Sequence, residues 1–310
     1  MEQSRKKICG RTDLALEVKE SFPEDSIEIE GVRLEKETKG QHCIEVTTVE
    51  IMNPQGAEQM GKPEGLYVTL EFKEDDTHDW KKLLEKQLSD TLQKMIQKHC
   101  SKEAPHCYFV TGLGNRFATP DALGPYVVEN IRIDRHMQPE NMISDSKGSK
   151  KNTVCGIVPG VMAQTGIESG EIMKGIIEQI RPDVLIAIDA LATCSIDRLC
   201  HTIQVTDTGI CPGSGIGNHR LQVNQQTMGI PVIAIGVPTV VEANTIVLES
   251  MERFMRKQQF TEQEITAFLQ NISKESVGNL FVTPKDIEAQ IKQIGEVIAR
   301  GIDRFVQESA

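Results

Sequence analysis

The chain has 310 residues and a formal net charge of −11, with 45 acidic against 34 basic side chains. Hydrophobic residues make up 39% of it, which is enough to bury the core of one large domain or two modest ones. The acidic balance argues against direct binding to nucleic acid, which requires clustered lysine and arginine. No apolar run approaches the roughly 18 residues that a membrane-spanning helix needs.

The N-terminal third of the chain carries the weaker structural signals. Residues 1–26 are polar and show no sustained period, which is typical of a mobile arm. Residues 27–100 predict a small α+β portion. Its predicted strands lie at 27–32, 44–49 and 66–72, and its predicted helix spans 76–100.

Residues 105–310 alternate between short apolar runs and helical patterns. Strands that are apolar on both faces are typical of a covered parallel sheet, and right-handed crossovers place helices on both sides of it. The sequence therefore predicts an α/β fold with a mostly parallel sheet. The predicted strands are 107–112, 154–159, 184–191, 202–205 and 232–237, and the helices are 121–136, 166–181, 240–257 and one that starts at 283.

Two glycine-rich runs follow predicted strands, and neither completes a nucleotide-binding motif. Residues 112–117 begin like a dinucleotide fingerprint, but phenylalanine stands where the last glycine belongs. Residues 212–219 lack the Gly-Lys-Ser/Thr ending of a P-loop. Backbone N–H groups of the loops 112–115 and 213–217 could still cradle an anion. A non-enzymatic phosphate- or nucleotide-binding protein is therefore one alternative.

Three aspartates follow predicted strands or lie near their ends. Asp121 lies between the strand at 107–112 and the next helix, and Asp189 lies near the end of the most apolar strand. Asp207 follows the next strand, in an Asp-Thr-Gly tripeptide that predicts an Asx turn. Ligands of open α/β sheets bind outside the carboxyl ends of the strands. We therefore expect Asp121 and Asp189 at one edge, with Asp207 in a supporting role.

A carboxylate pair at one sheet edge indicates acid–base chemistry. Two neighbouring carboxylates do not both ionise easily, so one of them keeps its proton. One member then serves as general base for water and the other as general acid for a leaving amine. Asp121 and Asp189 could instead hold a divalent metal ion that activates the water. Both mechanisms stay open, and no cofactor is assigned.

Long motifs in the chain resemble those of the germination proteases of spore-forming bacteria. The similarity extends from about residue 11 to the C-terminus. Motifs of this length are far more specific than a chance tripeptide. The matching runs occupy residues 112–115, 119–125, 157–162, 165–168, 187–192, 209–218, 229–236 and 282–285.

This resemblance implies an endopeptidase that degrades small acid-soluble spore proteins, which coat DNA in dormant spores. It also implies a fold like that of the hydrogenase-maturation endopeptidases, and a homotetramer in the cytoplasm of the forespore and spore core. The two catalytic aspartates of the family match Asp121 and Asp189. Acidic residues at equivalent places bind metal in the hydrogenase-maturation enzymes, so the resemblance leaves the metal-dependent alternative open. A maturation protease with another target is a further alternative.

The resemblance also implies a zymogen that removes its own N-terminal segment. The family cuts within a Thr-Glu/Asp, apolar, Ala pattern, and residues 11–17 resemble it, so self-cleavage is predicted between Asp13 and Leu14. This divides the chain into a propeptide at 1–13 and a single peptidase domain at 14–310. Weaker candidates for substrate binding or support are Asp207, Gly213, Ser214 and Gly215.

Overall fold

The computed structural model describes residues 12–22, 29–39, 43–74, 79–100, 106–137, 151–211, 221–272 and 280–309. Within these ranges, nine strands form a single sheet with helices on both of its faces. The predicted α/β fold class is therefore confirmed. The predicted loop residues Gly213, Ser214 and Gly215 lie outside the described ranges.

The strands lie in the order β1-β2-β3-β7-β8-β6-β4-β5, and β9 pairs with β8. Their bounds are β1 (Val32–Lys39), β2 (Ile44–Ile51), β3 (Gly65–Phe72), β4 (Cys107–Gly112), β5 (Thr153–Ile157), β6 (Val184–Thr193), β7 (Thr202–Thr206), β8 (Val232–Glu242) and β9 (Phe281–Val282). The helices are α1 (Ala15–Glu20), α2 (Pro54–Met60), α3 (Trp80–Ile96), α4 (Leu123–Asn130), α5 (Met162–Thr165), α6 (Ser169–Ile180), α7 (Gln225–Met228), α8 (Ala243–Lys257), α9 (Glu262–Ile272) and α10 (Ile287–Glu308).

Strands β8, β6, β4 and β5 are mutually parallel and form the half of the sheet that the apolar runs predict. Ile186 and Ala187 point to opposite faces of β6, and both are completely buried. The N-terminal strands β1, β2 and β3 continue the same sheet with antiparallel pairing. Strand β3 joins the two halves because it pairs with β7.

Strand β7 is the exception among the predicted parallel strands, because it runs antiparallel to both β3 and β8. Only residues 194–201 connect β6 to β7. A crossover that returns a strand in the parallel direction needs about a dozen residues or more. The chain therefore turns back, and the carboxyl end of β7 points toward the amino ends of β6 and β8.

The two faces of the sheet are covered differently. Helices α3, α4 and α10 bury one face from β2 to β5. On the other face, α6 and α7 pack over the parallel strands, whereas α1 and α2 pack over β2 and β3. On this second face, the strands between the α6–α7 pair and the α1–α2 pair present small or polar residues. By the alternation of side chains along each strand, these are Asp189, Gln204, Thr206 and Gly236.

Two expectations about the N-terminal region are wrong. Residues 12–22 are not a mobile arm, because Leu14, Ala15 and Leu16 are completely buried and lead into α1. A six-residue helix shows no sustained period, so its packing against β2 and β3 is what orders it. Residues 29–31 of the predicted strand 27–32 form a coil and a turn instead, and β1 begins at Val32 with largely exposed side chains.

Several helix ends differ from the predicted ones. Helix α4 is shorter than the predicted 121–136, and α8 begins at Ala243 because β8 continues to Glu242. Helix α10 begins at Ile287, four residues after the predicted cap Thr283. The Thr283 hydroxyl donates instead to the Thr239 carbonyl at 2.9 Å. No helix in the described part of the chain has the length and apolar content to cross a membrane.

Gly124 lies at the start of α4 in close contact with the end of β4 and the middle of β6. A Cβ atom on it would lie 2.3 Å from the Leu113 carbonyl oxygen and 2.6 Å from that of Ile188. Both obstacles are main-chain atoms, so Gly124→Ala has to displace the start of α4. We expect a loss of about 1–3 kcal/mol in the free energy of unfolding, measured by urea denaturation.

Gly175 of α6 provides the matched control, because nothing lies within 4 Å of the position of its Cβ. There a methyl group only raises helix propensity. We expect Gly175→Ala to increase the free energy of unfolding by about 0.5–1 kcal/mol. Equal effects at the two glycines would contradict the close packing around Gly124.

Candidate active site

The turn after β4 holds Asp121 against the end of that strand. Residues Thr119–Asp121 form a 3₁₀ helix, and the Asp121 carboxylate accepts a hydrogen bond from the Asn115 N–H at 2.8 Å. Gly114 has a φ of +105°, and a Cβ atom on it would lie 2.9 Å from that carboxylate. Glycine at 114 is therefore what allows the carboxylate to lie so close to the main chain.

Asp189 lies inside β6, where the residue is 6% exposed. Its carboxylate accepts a hydrogen bond from the Ala190 N–H at 2.9 Å. In the register of the sheet, Asp189 pairs with Gly236 of β8, which pairs in turn with Gln204 of β7. Burying a carboxylate in an apolar strand costs free energy, so we expect the charge or the proton of this group to have a function.

Contacts between β4 and β6 carry Asp121 and Asp189 to the same end of the sheet. Gly112, the last residue of β4, pairs with Ile188, and the Leu113 N–H donates to the Ile188 carbonyl at 2.8 Å. Cα atoms of the 3₁₀ turn that ends at Asp121 lie within 8 Å of Cα atoms of β6. The two aspartates therefore belong to segments in direct contact, and their catalytic roles stay a prediction.

Asp207 lies elsewhere, because the reversed direction of β7 takes it toward the amino ends of the parallel strands. One carboxylate oxygen accepts a hydrogen bond from the Leu66 N–H at 2.7 Å. The other lies 3.5 Å from the His99 imidazole. These contacts join the end of β7 to the start of β3. They give Asp207 a structural task, and a role in substrate binding stays a prediction.

Two N–H groups of the loop 112–115, one of the two candidate anion cradles, are already used within the fold. The Leu113 N–H donates to the carbonyl of Ile188, and the Asn115 N–H donates to the carboxylate of Asp121. These groups are not available to a phosphate. The geometry of this loop therefore does not favour the nucleotide-binding alternative, and the second loop lies outside the described residues.

A cavity of about 430 Å³ opens between the α1–α2 pair and the α6–α7 pair, on the face of the sheet that carries Asp189. Its floor includes Gln204 of β7, Leu191 of β6 and Gly236 of β8. Asp121 and Asp189 are not among the described residues that line it. Asp189 nevertheless neighbours the cavity, because its register partner Gly236 forms part of the floor.

The predicted cleavage site borders this cavity. Asp13 lines it and docks on β6, where its N–H donates to the Ala192 carbonyl at 3.1 Å. The Ala192 N–H donates to the Asp13 carboxylate at 2.9 Å. Leu14, the next residue, is completely buried. The bond between Asp13 and Leu14 therefore lies at the boundary between the cavity and the core.

Two residues that contact this bond were missed from the sequence. Lys62 follows α2 and Gln204 lies in β7, and both side chains donate to the Asp13 carbonyl. A glutamine in the middle of a buried strand is a signal that could have pointed to Gln204. Nothing in the sequence around Lys62 distinguishes it from the other lysines.

The donors that Asp121 and Asp189 offer to a metal ion are two carboxylates. Among the residues that the structure describes, no three His, Cys, Asp or Glu side chains converge as a possible metal site. Zinc sites in proteins use three or four such ligands. The described residues therefore do not fit a zinc site, and no chemical step is assigned to a metal.

Comparison with known proteins relates the chain to one family. A model of the germination protease family matches residues 10–276. The germination protease of Clostridium perfringens is 40% identical over 313 residues, which cover 96% of this chain and 95% of the relative. That of Bacillus subtilis is 37% identical over 353 residues, which cover 96% and 93%.

Among solved structures, the [NiFe] hydrogenase maturation protease HycI from Thermococcus kodakarensis is similar with a TM-score of 0.33 and 15% identity. The similar region covers 68% of this chain and 98% of that one. The family that the sequence motifs indicate is confirmed by the family match and by the two relatives. The chain is a peptidase and belongs to the germination protease family.

Proposed function

We propose that this peptidase is the endopeptidase that begins the degradation of small acid-soluble DNA-binding proteins in the spore core during germination. Membership of the germination protease family supports a role in spore germination. The observation that carries the mechanism is the position of Asp121 and Asp189 on contacting segments, with Asp189 beside a cavity. That cavity is the place for the substrate chain.

The chemistry follows from two carboxyl groups that share one proton. The ionised member removes a proton from water, and the hydroxide formed adds to the carbonyl carbon of the substrate. The protonated member gives its proton to the nitrogen of the leaving amine. Asp121 and Asp189 are the residues for these two tasks, and either order of roles fits their positions.

Synthesis as a zymogen and assembly as a homotetramer are parts of the same proposal. Self-cleavage between Asp13 and Leu14 would remove the first 13 residues, and the placement of Asp13 at the cavity supports this site. Assembly requires apolar surface, and Phe254, Phe260 and Phe268 of the α8–α9 region are exposed. Light scattering of the purified chain measures the number of subunits.

The test of the proposed function is digestion of a purified small acid-soluble spore protein by the full chain. We expect discrete fragments, each produced by a cut after an acidic residue that precedes an apolar residue. An unrelated basic DNA-binding protein of similar size, without the recognition pattern, is the control substrate. Intact spore protein after prolonged incubation, at neutral and mildly acidic pH, would refute the proposal.

Metal removal separates the two open mechanisms. We expect dialysis against EDTA to leave the rate of spore-protein cleavage unchanged, because the aspartate dyad needs no metal ion. Loss of activity in EDTA that a divalent ion restores would replace the dyad by the metal-dependent mechanism with the same carboxylates.

We also expect self-cleavage to accelerate in mild acid, because the dyad requires one proton.

A further inference from the structure

The main-chain carbonyl of Asp13 is held by side chains from two distant parts of the chain. Lys62 Nζ donates to its oxygen at 2.9 Å, and Gln204 Nε2 donates to the same oxygen at 3.2 Å. This oxygen belongs to the peptide group that joins Asp13 to Leu14. Two fixed donors on one carbonyl oxygen are the arrangement that stabilises an oxyanion during peptide hydrolysis.

Local structure fixes both donors. Helix α2 ends in Gly61 with a φ of +59°, a left-handed cap that turns the chain so that Lys62 follows at the rim of the cavity. Gln204 is held in the middle of β7, and its Oε1 accepts a hydrogen bond from the Ala15 N–H at 2.7 Å. One amide group therefore bridges the residues on the two sides of Leu14.

The acidic side chain before this bond is recognised by the main chain of β6. The Asp13 carboxylate accepts the Ala192 N–H, while the Asp13 N–H donates back to the Ala192 carbonyl. This pair of hydrogen bonds joins the main chain and the side chain of Asp13 to a single residue of β6. It sets the direction of the bound chain and places an acidic residue next to the two donors.

Lys62 brings a positive charge to a half-buried position at the cavity. Burial lowers the pKa of its ammonium group, and the nearby Asp13, Glu17 and Cys211 raise that pKa in part. A half-buried cation interacts more strongly with a developing negative charge than a fully exposed one does. This environment suits a donor that acts on the tetrahedral intermediate.

The two sides of the bond have different surroundings. Thr12 and Asp13 line the cavity, so water reaches the carbonyl from that side. Leu14, Ala15 and Leu16 are completely buried on the other side. The surroundings therefore suit a chain with an acidic residue before the bond and apolar residues after it, and residues 13–16 are such a chain.

We propose that Lys62 and Gln204 form the oxyanion cradle for the peptide bond that follows an acidic residue, and that the Ala192 main chain selects that residue. In the intact chain the cradle holds the Asp13–Leu14 bond for self-cleavage. In the processed enzyme it holds the corresponding bond of a spore protein. This inference rests on the proposed function and adds the residues that polarise and select the bond.

The step is hydrolysis of the Asp13–Leu14 peptide bond, in which the ionised member of the dyad takes a proton from water. Hydroxide from water adds to the Asp13 carbonyl carbon, and the electron pair of the C=O π bond moves to the oxygen held by Lys62 and Gln204. When the carbonyl re-forms, the C–N bond breaks and the Leu14 nitrogen takes up a proton from the acidic member of the dyad. The products are a carboxyl group at Asp13 and an amino group at Leu14.

The experiment follows self-cleavage of the full chain by intact-mass spectrometry, which resolves residues 1–13 from 14–310. We expect Lys62→Met and Gln204→Leu each to slow it about 10²-fold. The Lys62→Arg variant keeps the cation and should recover part of the rate. Lys98→Met and Gln97→Leu, at exposed positions of the same residue types, should process at the wild-type rate.

A second readout separates catalysis from folding. With a spore protein as substrate, loss of an oxyanion donor lowers kcat and leaves KM nearly unchanged. Wild-type rates in the Lys62→Met and Gln204→Leu variants would overturn the inference, as would slow rates with a lowered unfolding temperature and no rescue by arginine. Wild-type enzyme that cuts spore proteins but never its own Asp13–Leu14 bond would overturn the cradle alone. Wild-type enzyme that cuts neither would refute the proposed function.

Discussion

Replacement of either Asp121 or Asp189 by asparagine is expected to reduce cleavage of a small acid-soluble spore protein by at least about 10³-fold. An amide neither removes a proton from water nor donates one as a carboxylic acid does. Because the two groups act as a unit, the double variant should be hardly slower than either single variant. Initial rates at saturating substrate, followed by mass spectrometry of the fragments, measure the effect.

Asparagine is the replacement that preserves the surrounding hydrogen bonds. Its carbonyl oxygen can accept the Asn115 N–H at position 121 and the Ala190 N–H at position 189, as the carboxylates do. The variants should therefore unfold near the wild-type temperature. Asp197→Asn is the matched control, since this side chain is 74% exposed and the wild-type rate is expected to remain.

Asp207→Asn tests whether a third aspartate takes part in catalysis. Its contacts with Leu66 and His99 predict a modest loss of stability and no change in kcat at low temperature. A full loss of activity in this variant, together with retained activity in the Asp121 and Asp189 variants, would show that the wrong carboxylates have been assigned.

The sequence predicted the parallel half of the sheet well, because strands buried on both faces leave a continuous apolar run. The run 184–191 lies within β6, which spans Val184–Thr193. The direction of β7 could not be read from its own residues, since a period of two reports a strand and not its orientation. Only the eight residues of the connection from β6 carry that information.

The proximity of the segments that carry Asp121 and Asp189 was predictable from the parallel strands, while their catalytic roles stay a prediction. Asp121 and Asp189 were selected because parallel strands share one carboxyl edge, and the structure carries them on contacting segments. Lys62 and Gln204 reach Asp13 across 49 and 191 positions of the chain. Such a meeting depends on how α1 and α2 pack on the sheet, which no local pattern encodes.

The largest effect on stability is expected when Arg198 is replaced by leucine. Its guanidinium donates to the Glu20 carboxylate at 2.6 and 2.7 Å, and to the Glu71 carboxylate at 2.7 Å. The buried carboxylate of Glu17 lies 3.6 Å away. This cluster ties α1, which carries two of these glutamates, to β3 and to the turn before β7.

The charge of Arg198 is secured by its neighbours. Burial lowers the pKa of the guanidinium, but its hydrogen bonds to Glu20 and Glu71 raise that pKa by more, so that the net pKa lies above its usual value. The Arg198→Leu variant would leave three carboxylates facing one another without their cation. Removal of one partner from a buried ionic cluster costs about 3–5 kcal/mol, the loss we expect in urea unfolding.

Arg253→Leu is the matched control for this loss. That side chain is 58% exposed and pairs with Asp197 at 2.8 Å, so its removal should cost at most about 1 kcal/mol. Because α1 follows directly on Leu14, loosening it should also displace the Asp13–Leu14 bond from Lys62 and Gln204. The Arg198 variant should therefore process its own chain slowly even at temperatures where it stays folded. Equal stability of the two arginine variants would show that the cluster does not anchor α1.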